Sequence, residues 1–160
     1  MNEQGVTIRP ATADDVETLV GFNKAMACET EGVELDVERL RAGTEAVFAD
    51  PTRGFYRIAE IDGRAVGSLL ITTEWSDWRN GTFWWIQSVF VDPQFRRRGV
   101  FRSLYGHVVR EARETADCCG VRLYVERANR RAKQTYAALG MAPCGYDMYE
   151  VDFVLGGEAK

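Results

Sequence analysis

The stretch that decides the fold is Val89-Phe90-Val91-Asp92-Pro93-Gln94-Phe95-Arg96-Arg97-Arg98-Gly99-Val100-Phe101-Arg102-Ser103-Leu104. An apolar run stops at Asp92-Pro93, a short loop with three arginines follows, and an amphipathic helix begins after Gly99. The first N–H groups of a helix have no intrahelical acceptor, and together with the helix dipole they attract anions. The pattern therefore favours a pyrophosphate site at a strand–loop–helix junction, and a solvated basic turn without a ligand is the alternative.

The composition is that of one ordinary globular domain. The chain has 160 residues, of which 46% are hydrophobic and 28% are charged, and this length allows most of the apolar surface to be buried. The formal net charge of −4 argues against general nucleic-acid binding, which requires a basic surface. We expect a single domain over residues 1–155, followed by a disordered tail over residues 156–160.

Cysteine and histidine usage argues against a metal site. The chain has four cysteines and one histidine, and no CxxC pair occurs, so we expect neither a zinc site nor a disulfide framework. Reduced thiols indicate a cytoplasmic protein. The first residues lack the features of a signal peptide, and no apolar run is long enough to span a membrane, so no membrane association is expected.

Hydrophobic periodicity and turn residues predict alternating helices and strands along the chain. In order they are a strand over residues 6–9, a helix that starts at the N-cap Thr12, a helix over 37–48, strands over 55–61, 65–73 and 82–91, a helix over 100–115, a strand over 121–126, a helix over 130–139 and a strand over 146–155. An acidic loop over 29–36 separates the first two helices.

The strand over residues 82–91 is apolar on both faces, which places it at the centre of a sheet. Strict alternation assigns Phe83, Trp85, Val89 and Val91 to one face and Trp84, Ile86 and Phe90 to the other. The strand–helix–strand passage that follows predicts a right-handed crossover and a parallel pair. The expected fold is therefore α/β, in the order β-α-α-β-β-β-α-β-α-β, with a mixed, mostly antiparallel central sheet and helices on both faces.

Three segments of the chain resemble the Gcn5-related N-acetyltransferase (GNAT) superfamily. Arg96-Arg97-Arg98-Gly99-Val100-Phe101 is similar to its cofactor motif, and Asn129-Arg130-Arg131-Ala132-Lys133-Gln134-Thr135-Tyr136-Ala137-Ala138-Leu139-Gly140-Met141 is similar to its second signature. Ile8-Arg9-Pro10-Ala11-Thr12 resembles the opening of the family. The resemblance covers nearly the whole chain and implies a GNAT-like fold and an acyltransferase that uses acetyl-CoA.

The resemblance also implies roles for particular residues. The pyrophosphate of acetyl-CoA would meet the loop before the helix, the Val89 N–H would stabilise the oxyanion, and Tyr136 would protonate the departing thiolate. The implied cofactor-binding residues are Val89, Phe90, Val91, Arg96, Arg97, Arg98, Gly99, Val100, Phe101, Arg102, Asn129, Ala132 and Tyr136. Phe101 stands where the family usually has Gly or Ala, and Arg97 replaces a frequent Gly.

The hairpin over residues 73–91 is similar to that of polyamine and thialysine acetyltransferases. Those enzymes carry a Glu-Asp pair where this chain has Gln87-Ser88, so the local negative charge is missing and polyamine specificity does not follow. Trp75 and Trp78 are expected to hold a cation, with hairpin packing or a dimer contact as the alternative. The expected substrate-binding residues are Gln87, Trp75, Trp78, Glu126 and Glu29.

The sequence thus predicts a cytoplasmic, homodimeric N-acetyltransferase that acts on the primary amine of a small molecule. Direct transfer in a ternary complex is expected, because neither motif contains a cysteine that could carry the acetyl group. The alternatives are a protein lysine or N-terminal acetyltransferase, a non-catalytic acyl-CoA-binding regulatory module, and an RNA-associated protein that uses the arginine run.

Overall fold

The computed structural model describes residues 5–154. The chain divides into two compact units, one up to Tyr124 and the other from Val125 onward. The predicted tail over residues 156–160 lies outside the described residues.

The first unit contains all the strands of the described chain and three of its α-helices. The strands are β1 (Val6–Pro10), β2 (Phe55–Ile61), β3 (Arg64–Ser76), β4 (Gly81–Val91) and β5 (Cys118–Arg122). The helices are α1 (Val16–Glu31), α2 (Val37–Ala49) and α3 (Val100–Glu114), with short 3-10 helices at Ala13–Asp15, Pro51–Arg53 and Pro93–Phe95. The second unit contains the helix α4 (Arg130–Ala138).

The strands form one sheet in the order β1-β2-β3-β4-β5. Neighbouring strands are antiparallel except β4 and β5, which are parallel and are joined through α3. The α/β fold with a mixed, mostly antiparallel sheet is therefore confirmed.

Helices cover both faces of this sheet and build two cores. On one face α3 buries a stripe at helical spacing, which includes Leu104 and Val108, against the inward side chains of β3 and β4. On the other face Leu19 of α1 packs with Tyr56 and Ile58 of β2. Leu104 is fully buried, which contributes about 1.5–3 kcal/mol to folding.

A β-bulge in β4 overturns the alternation that the sequence predicts. Leu70 pairs with Gln87 and Ser68 pairs with Phe90, so two residues of β4 oppose Leu69 alone. Ser88, at the bulge, has φ +49°. The extra residue reverses the faces beyond it.

The reversal is visible in the packing on both sides of the sheet. Phe90 stacks on Phe22 of α1, with ring centroids 4.6 Å apart. Val89 and Val91 instead pack with Trp84 in the α3 core. The predicted assignment is therefore correct before Ser88 and wrong after it.

The strand β5 lies earlier in the chain than the predicted strand over residues 121–126. Gly120 lies before the predicted strand, whereas the structure places it inside β5, where it pairs with Phe83. A Cβ at Gly120 would stand 2.7 Å from the Phe83 ring, so this register needs a residue without a side chain. As a result, Glu126 lies beyond the strand rather than at its end.

Two other boundaries differ from the prediction. The helix α1 continues to Glu31 and ends at Gly32, which has φ +65°, so Glu29 is helical rather than part of an acidic loop. The strand β3 extends to Ser76, because its pairing with β4 continues as far as Ser76 and Gly81.

The predicted last strand is not formed in the described residues 146–154, and Leu155 lies outside them. Tyr149 and Phe153 are 93% and 92% exposed. Alternating apolar residues make this segment suitable for a strand, but a strand also requires a neighbouring backbone to pair with. The prediction of a strand here is therefore wrong for the residues that the structure describes.

The bulge predicts opposite effects of two substitutions at Ser88. Left-handed backbone costs a residue with a Cβ about 1–2 kcal/mol and is worst for β-branched residues. We expect Ser88→Gly to keep or slightly raise the free energy of unfolding and Ser88→Val to lower it by about 1–3 kcal/mol. Urea denaturation of both variants measures this difference, and equal stability of the two would contradict it.

Candidate functional site

The strands β4 and β5 pair over only a short distance before they part. Their pairing runs from Thr82 with Cys118 to Trp85 with Arg122. Within residues 5–124, no strand pairs with residues 86–91 on the edge of β4 that faces β5. This edge opens at the carboxyl ends of two parallel strands, where ligands of α/β proteins commonly bind.

The loop between β4 and α3 begins at Asp92 and contains two residues with left-handed backbone. Asp92 Oδ1 accepts a hydrogen bond from the Gln94 N–H at 2.9 Å. Arg97 has φ +65°, and Gly99, the N-cap of α3, has φ +77°. Left-handed residues between right-handed or extended ones turn N–H groups to one side, which favours an anion. The N-terminus of α3 at the same place adds to this preference.

The arginines of this loop have different surroundings. Both carboxylate oxygens of Glu29 bind the Arg96 guanidinium, at 2.5 and 2.6 Å, and Arg96 Nε donates to the Val91 carbonyl at 3.1 Å. The Arg98 guanidinium lies 5.2 Å from the centroid of the Phe95 ring. Arg96 is therefore held by the protein, and it lowers the pKa of Glu29 chiefly by hydrogen bonding.

Phe101 and Arg102 occupy the first turn of α3. Phe101 is partly exposed, and its ring centroid lies 6.2 Å from that of Tyr105. The side chain that enters the α3 core at the start of the helix is Val100. The bulk at position 101 therefore lies outside the core.

Polar and aromatic side chains form a cluster on the sheet face opposite α3. We name it the Gln87 cluster, and its members are Thr72, Glu74, Trp85, Gln87, Arg122 and Tyr124. They reach this face from β3, from β4 and from β5 with the residues that follow it.

Hydrogen bonds connect the members of this cluster in two groups. Glu74 Oε2 accepts from Trp85 Nε1, and Glu74 Oε1 accepts from Arg122 Nη1, both at 2.7 Å. Gln87 Nε2 donates to Thr72 Oγ1, and the Tyr124 hydroxyl lies 3.5 Å from Gln87 Oε1. The Gln87 amide thus stands where β4 and β5 begin to part.

The predicted substrate residues do not all lie in this cluster. Trp75 alternates with Glu74 along β3 and so faces the other side of the sheet, where it is 59% exposed. Trp78, in the turn between β3 and β4, is 84% exposed. Glu29 binds Arg96, and only Gln87 belongs to the cluster.

Trp85, Arg122 and Tyr124 were not predicted as site residues. Trp85 lies two residues before Gln87 and therefore shares its face, which is a signal that the sequence does contain. Arg122 and Tyr124 lie within the predicted strand and share a face with Glu126, so the sequence contains a signal for them too, but it does not contain the register that sets Arg122 opposite Trp85.

In the second unit, Asn129 and Tyr136 lie on and beside α4. Asn129 is the N-cap, and its Oδ1 accepts from the Ala132 N–H at 3.0 Å. Burial raises the pKa of Tyr136 above its ordinary value of 10.0. One carboxylate oxygen of Glu126 accepts from the Ala128 N–H at 2.9 Å, so this side chain is held by its own loop.

The structure also limits other functions. No group of three or more His, Cys, Asp or Glu side chains within residues 5–154 is arranged to hold a metal ion. Over the same residues, no helix combines the length and the apolar character that crossing a bilayer requires.

A family model described as the acetyltransferase (GNAT) family matches residues 20–141 of the chain. No curated protein sequence matches the chain significantly.

Solved structures are similar to the chain over nearly its whole length. A possible acetyltransferase from Clostridium difficile 630 is 42% identical, with a TM-score of 0.87, and the match covers 93% of this chain and 98% of that one. A ribosomal-protein-alanine N-acetyltransferase from Brucella melitensis biovar Abortus 2308 is 16% identical, with a TM-score of 0.75 and coverage of 92% and 99%. A GCN5-related N-acetyltransferase from Ralstonia eutropha JMP134 is 22% identical, with a TM-score of 0.72 and the same coverage. The two more distant structures share the fold.

The pair between Glu29 and Arg96 predicts a small, salt-sensitive coupling. Both side chains are partly exposed, at 48% and 33%, so a double-mutant cycle with Glu29→Gln and Arg96→Gln should give about 0.2–1 kcal/mol. The coupling should be fully present above the ordinary glutamate pKa of 4.5 and be lost as the pH falls through the lower pKa of the folded state. Urea denaturation measures it, and a coupling that survives 1 M salt, or that grows as the pH falls, would contradict this account.

Proposed function

The chain belongs to the acetyltransferase (GNAT) family, and from this membership we propose that it transfers the acetyl group of acetyl-CoA to the primary amine of a small molecule. The transfer is direct, within a ternary complex of enzyme, acetyl-CoA and amine. The parting of β4 and β5 beside a loop suited to anions carries this proposal. The loop offers a binding site for the diphosphate, and the adjacent open edge of β4 offers one for the acyl group.

The loop before α3 binds the diphosphate of acetyl-CoA in this proposal. Left-handed backbone at Arg97 and Gly99 supports it, because such backbone gathers N–H donors for a phosphate. The Arg97 and Arg98 side chains add positive charge and forked donors. Arg96 has a mainly positioning role, since Glu29 and the Val91 carbonyl already hold its guanidinium.

The open edge of β4 positions the acyl end. Main-chain groups of Val89 and Val91 pair with the pantetheine arm as an added strand would. The Val89 N–H donates to the negative charge that develops on the acetyl oxygen. The other residues proposed to contact acetyl-CoA are Phe90, Val100, Phe101, Arg102, Asn129 and Ala132.

Tyr136 donates a proton to the departing thiolate in this proposal. Its raised pKa keeps the phenol protonated at neutral pH, as a general acid requires.

The amine binds beside Gln87, whose carbonyl oxygen can accept from an N–H. Trp85 and Tyr124 line this place, with ring centroids 6.0 Å apart. Trp78 and Glu126 are outer contacts of the amine in this proposal, whereas Trp75, on the other side of the sheet, is assigned to the contact between copies described next.

We also propose a cytoplasmic homodimer. Exposed Trp75 and Trp78 at the end of the hairpin support a contact between copies. The free thiols of Cys28, Cys118, Cys119 and Cys144 suit a reducing compartment.

Thiol release in the presence of acetyl-CoA and a panel of small amines tests the proposed function. We expect N-acetylated product, intersecting initial-velocity lines, and a kcat lower by about 10²-fold in Tyr136→Phe with little change in the Kd of acetyl-CoA. Tyr149→Phe, which alters an exposed tyrosine of the same unit, is the control and should retain activity. Tight binding without turnover of any amine would favour the regulatory module instead, and full activity of Tyr136→Phe would remove it as the acid.

The loop arginines should differ in their effect on acetyl-CoA affinity. We expect Arg98→Gln to raise the Kd about 10-fold, because a hydrogen bond to a charged phosphate is lost. Arg96→Gln should have a smaller effect, since its guanidinium is already bound by Glu29. Isothermal titration calorimetry measures these affinities. The control is Arg110→Gln, about three turns further along α3. A larger loss of affinity in Arg96→Gln than in Arg98→Gln would contradict the assignment.

A further inference from the structure

The Gln87 cluster points to the chemical class of the amine. We propose that the acceptor is a small molecule whose reactive group is an α-amino group next to a carbonyl, rather than an alkylamine or a polyamine. This inference rests on the proposed acetyl transfer and specifies its second substrate.

The strands around the open edge offer very few carboxylates. Among the residues of β3, β4 and β5, Glu74 is the single acidic residue. Its two oxygens accept from Trp85 and Arg122, and the Arg122 guanidinium lies 3.6 Å from the centroid of the Phe83 ring. The Glu74 carboxylate is thus paired with a fixed arginine, and both of its oxygens are engaged.

The residue nearest the parting of the strands cannot act as a base. The Gln87 amide is neutral, its Nε2 donates to Thr72, and its Oε1 remains as an acceptor for an N–H. This arrangement can orient an amine, but it cannot remove a proton from an ammonium.

Other titratable groups near β4 are paired or exposed. On α1, which packs against β4, Glu17 binds Arg41 and Glu29 binds Arg96. The remaining titratable side chains of α1 are Lys24, Cys28 and Glu31, and all three are exposed. On the side of β5 the cluster contributes Arg122 and Tyr124, neither of which is a carboxylate. Within residues 5–124, then, no unpaired carboxylate belongs to the cluster.

The chemistry of the step makes this decisive. The neutral amine nitrogen attacks the acetyl carbon, the C–S bond breaks, and the thiolate takes its proton from Tyr136, which solvent reprotonates. The nitrogen then loses one proton to water, so amine and acetyl-CoA give amide and free CoA. At pH 7.5 only about 0.1% of an alkylamine is neutral, against about 25–40% of an α-amino group, from pKa values near 10.4 and 7.7–8.0. With Glu74 paired to Arg122, Gln87 unable to act as a base, and the Glu126 carboxylate bonded to the Ala128 N–H of its own loop, the site favours the α-amine.

The aromatic members of the cluster favour a flat neighbouring group. The Trp85 and Tyr124 rings stand 6.0 Å apart with an interplanar angle of 50°, and Tyr124 is 58% exposed. A planar carbonyl next to the amine can pack on such a wall, whereas a flexible polycation would need carboxylates that the cluster does not supply.

Two isomeric substrates test the inference on the full chain. Nε-acetyl-lysinamide offers only an α-amine, and Nα-acetyl-lysinamide offers only an ε-amine, with the same atoms otherwise. We expect kcat/KM at pH 7.5 to be at least about 10-fold higher for the α-amine, with a plateau above about pH 8. For the ε-amine it should keep rising towards about pH 10, following the neutral fraction of the amine.

Equal or better use of the ε-amine at pH 7.5 would overturn the inference, as would turnover of spermidine but of neither isomer. Those results would leave the proposed acetyl transfer intact. No thiol release with any amine, although acetyl-CoA binds, would overturn both.

A pair of variants asks whether Gln87 sets this preference. Gln87→Glu supplies a carboxylate and should shift the ratio of kcat/KM values towards the ε-amine by at least threefold at pH 7.5. Gln87→Ala removes the same contacts without adding a base and should not shift the ratio that way. The same shift in both variants, or none in Gln87→Glu, would contradict the role given to Gln87.

Discussion

Because β4 leaves β5 after Trp85, residues 86–91 of β4 have no strand beside them on that edge within residues 5–124. The bulge at Ser88 lies within that edge, and the left-handed residues Arg97 and Gly99 lie in the loop that follows it. Each of these features costs some backbone freedom or strain. Together they leave backbone N–H groups of β4 and of the loop before α3 without a partner strand within the first unit. The proposed binding of acetyl-CoA depends on these groups.

The local charge around the open edge depends on which carboxylates are paired with arginines, and not on the net charge of the chain. The chain has a net negative charge, yet Glu29 and Glu74 are bound by Arg96 and Arg122. The loop before α3 keeps the positive character that a diphosphate needs, while the face of the sheet beside Gln87 is close to neutral. An enzyme of polycations would need the reverse arrangement on that face, with carboxylates in excess of arginines.

The sequence predicts the α/β class and the parallel pair because the periods of strands and helices are strong signals, and because the loop around Gly99 marks the passage from β4 to α3. It fails where tertiary structure overrides a local pattern. Gly120 resembles a helix terminator, yet it pairs inside β5. Strict alternation hides the bulge at Ser88, and the alternating segment after Tyr146 adopts no strand within the described residues. The predicted strand over residues 121–126 does place Arg122 and Tyr124 on one face, but their position beside Trp85 and Gln87 depends on the register of β5 against β4, which the sequence does not show.

The contact between Gly120 and the Phe83 ring has a consequence for how such a chain can diverge. A side chain at position 120 would occupy the space of the ring at position 83. A relative with alanine at position 120 is therefore expected to carry a smaller side chain at position 83. The ring at position 83 also supports the guanidinium of residue 122. A substitution at Gly120 would therefore affect Phe83 first and, through it, Arg122 of the Gln87 cluster. Correlated changes at these three positions are the pattern to seek among orthologues.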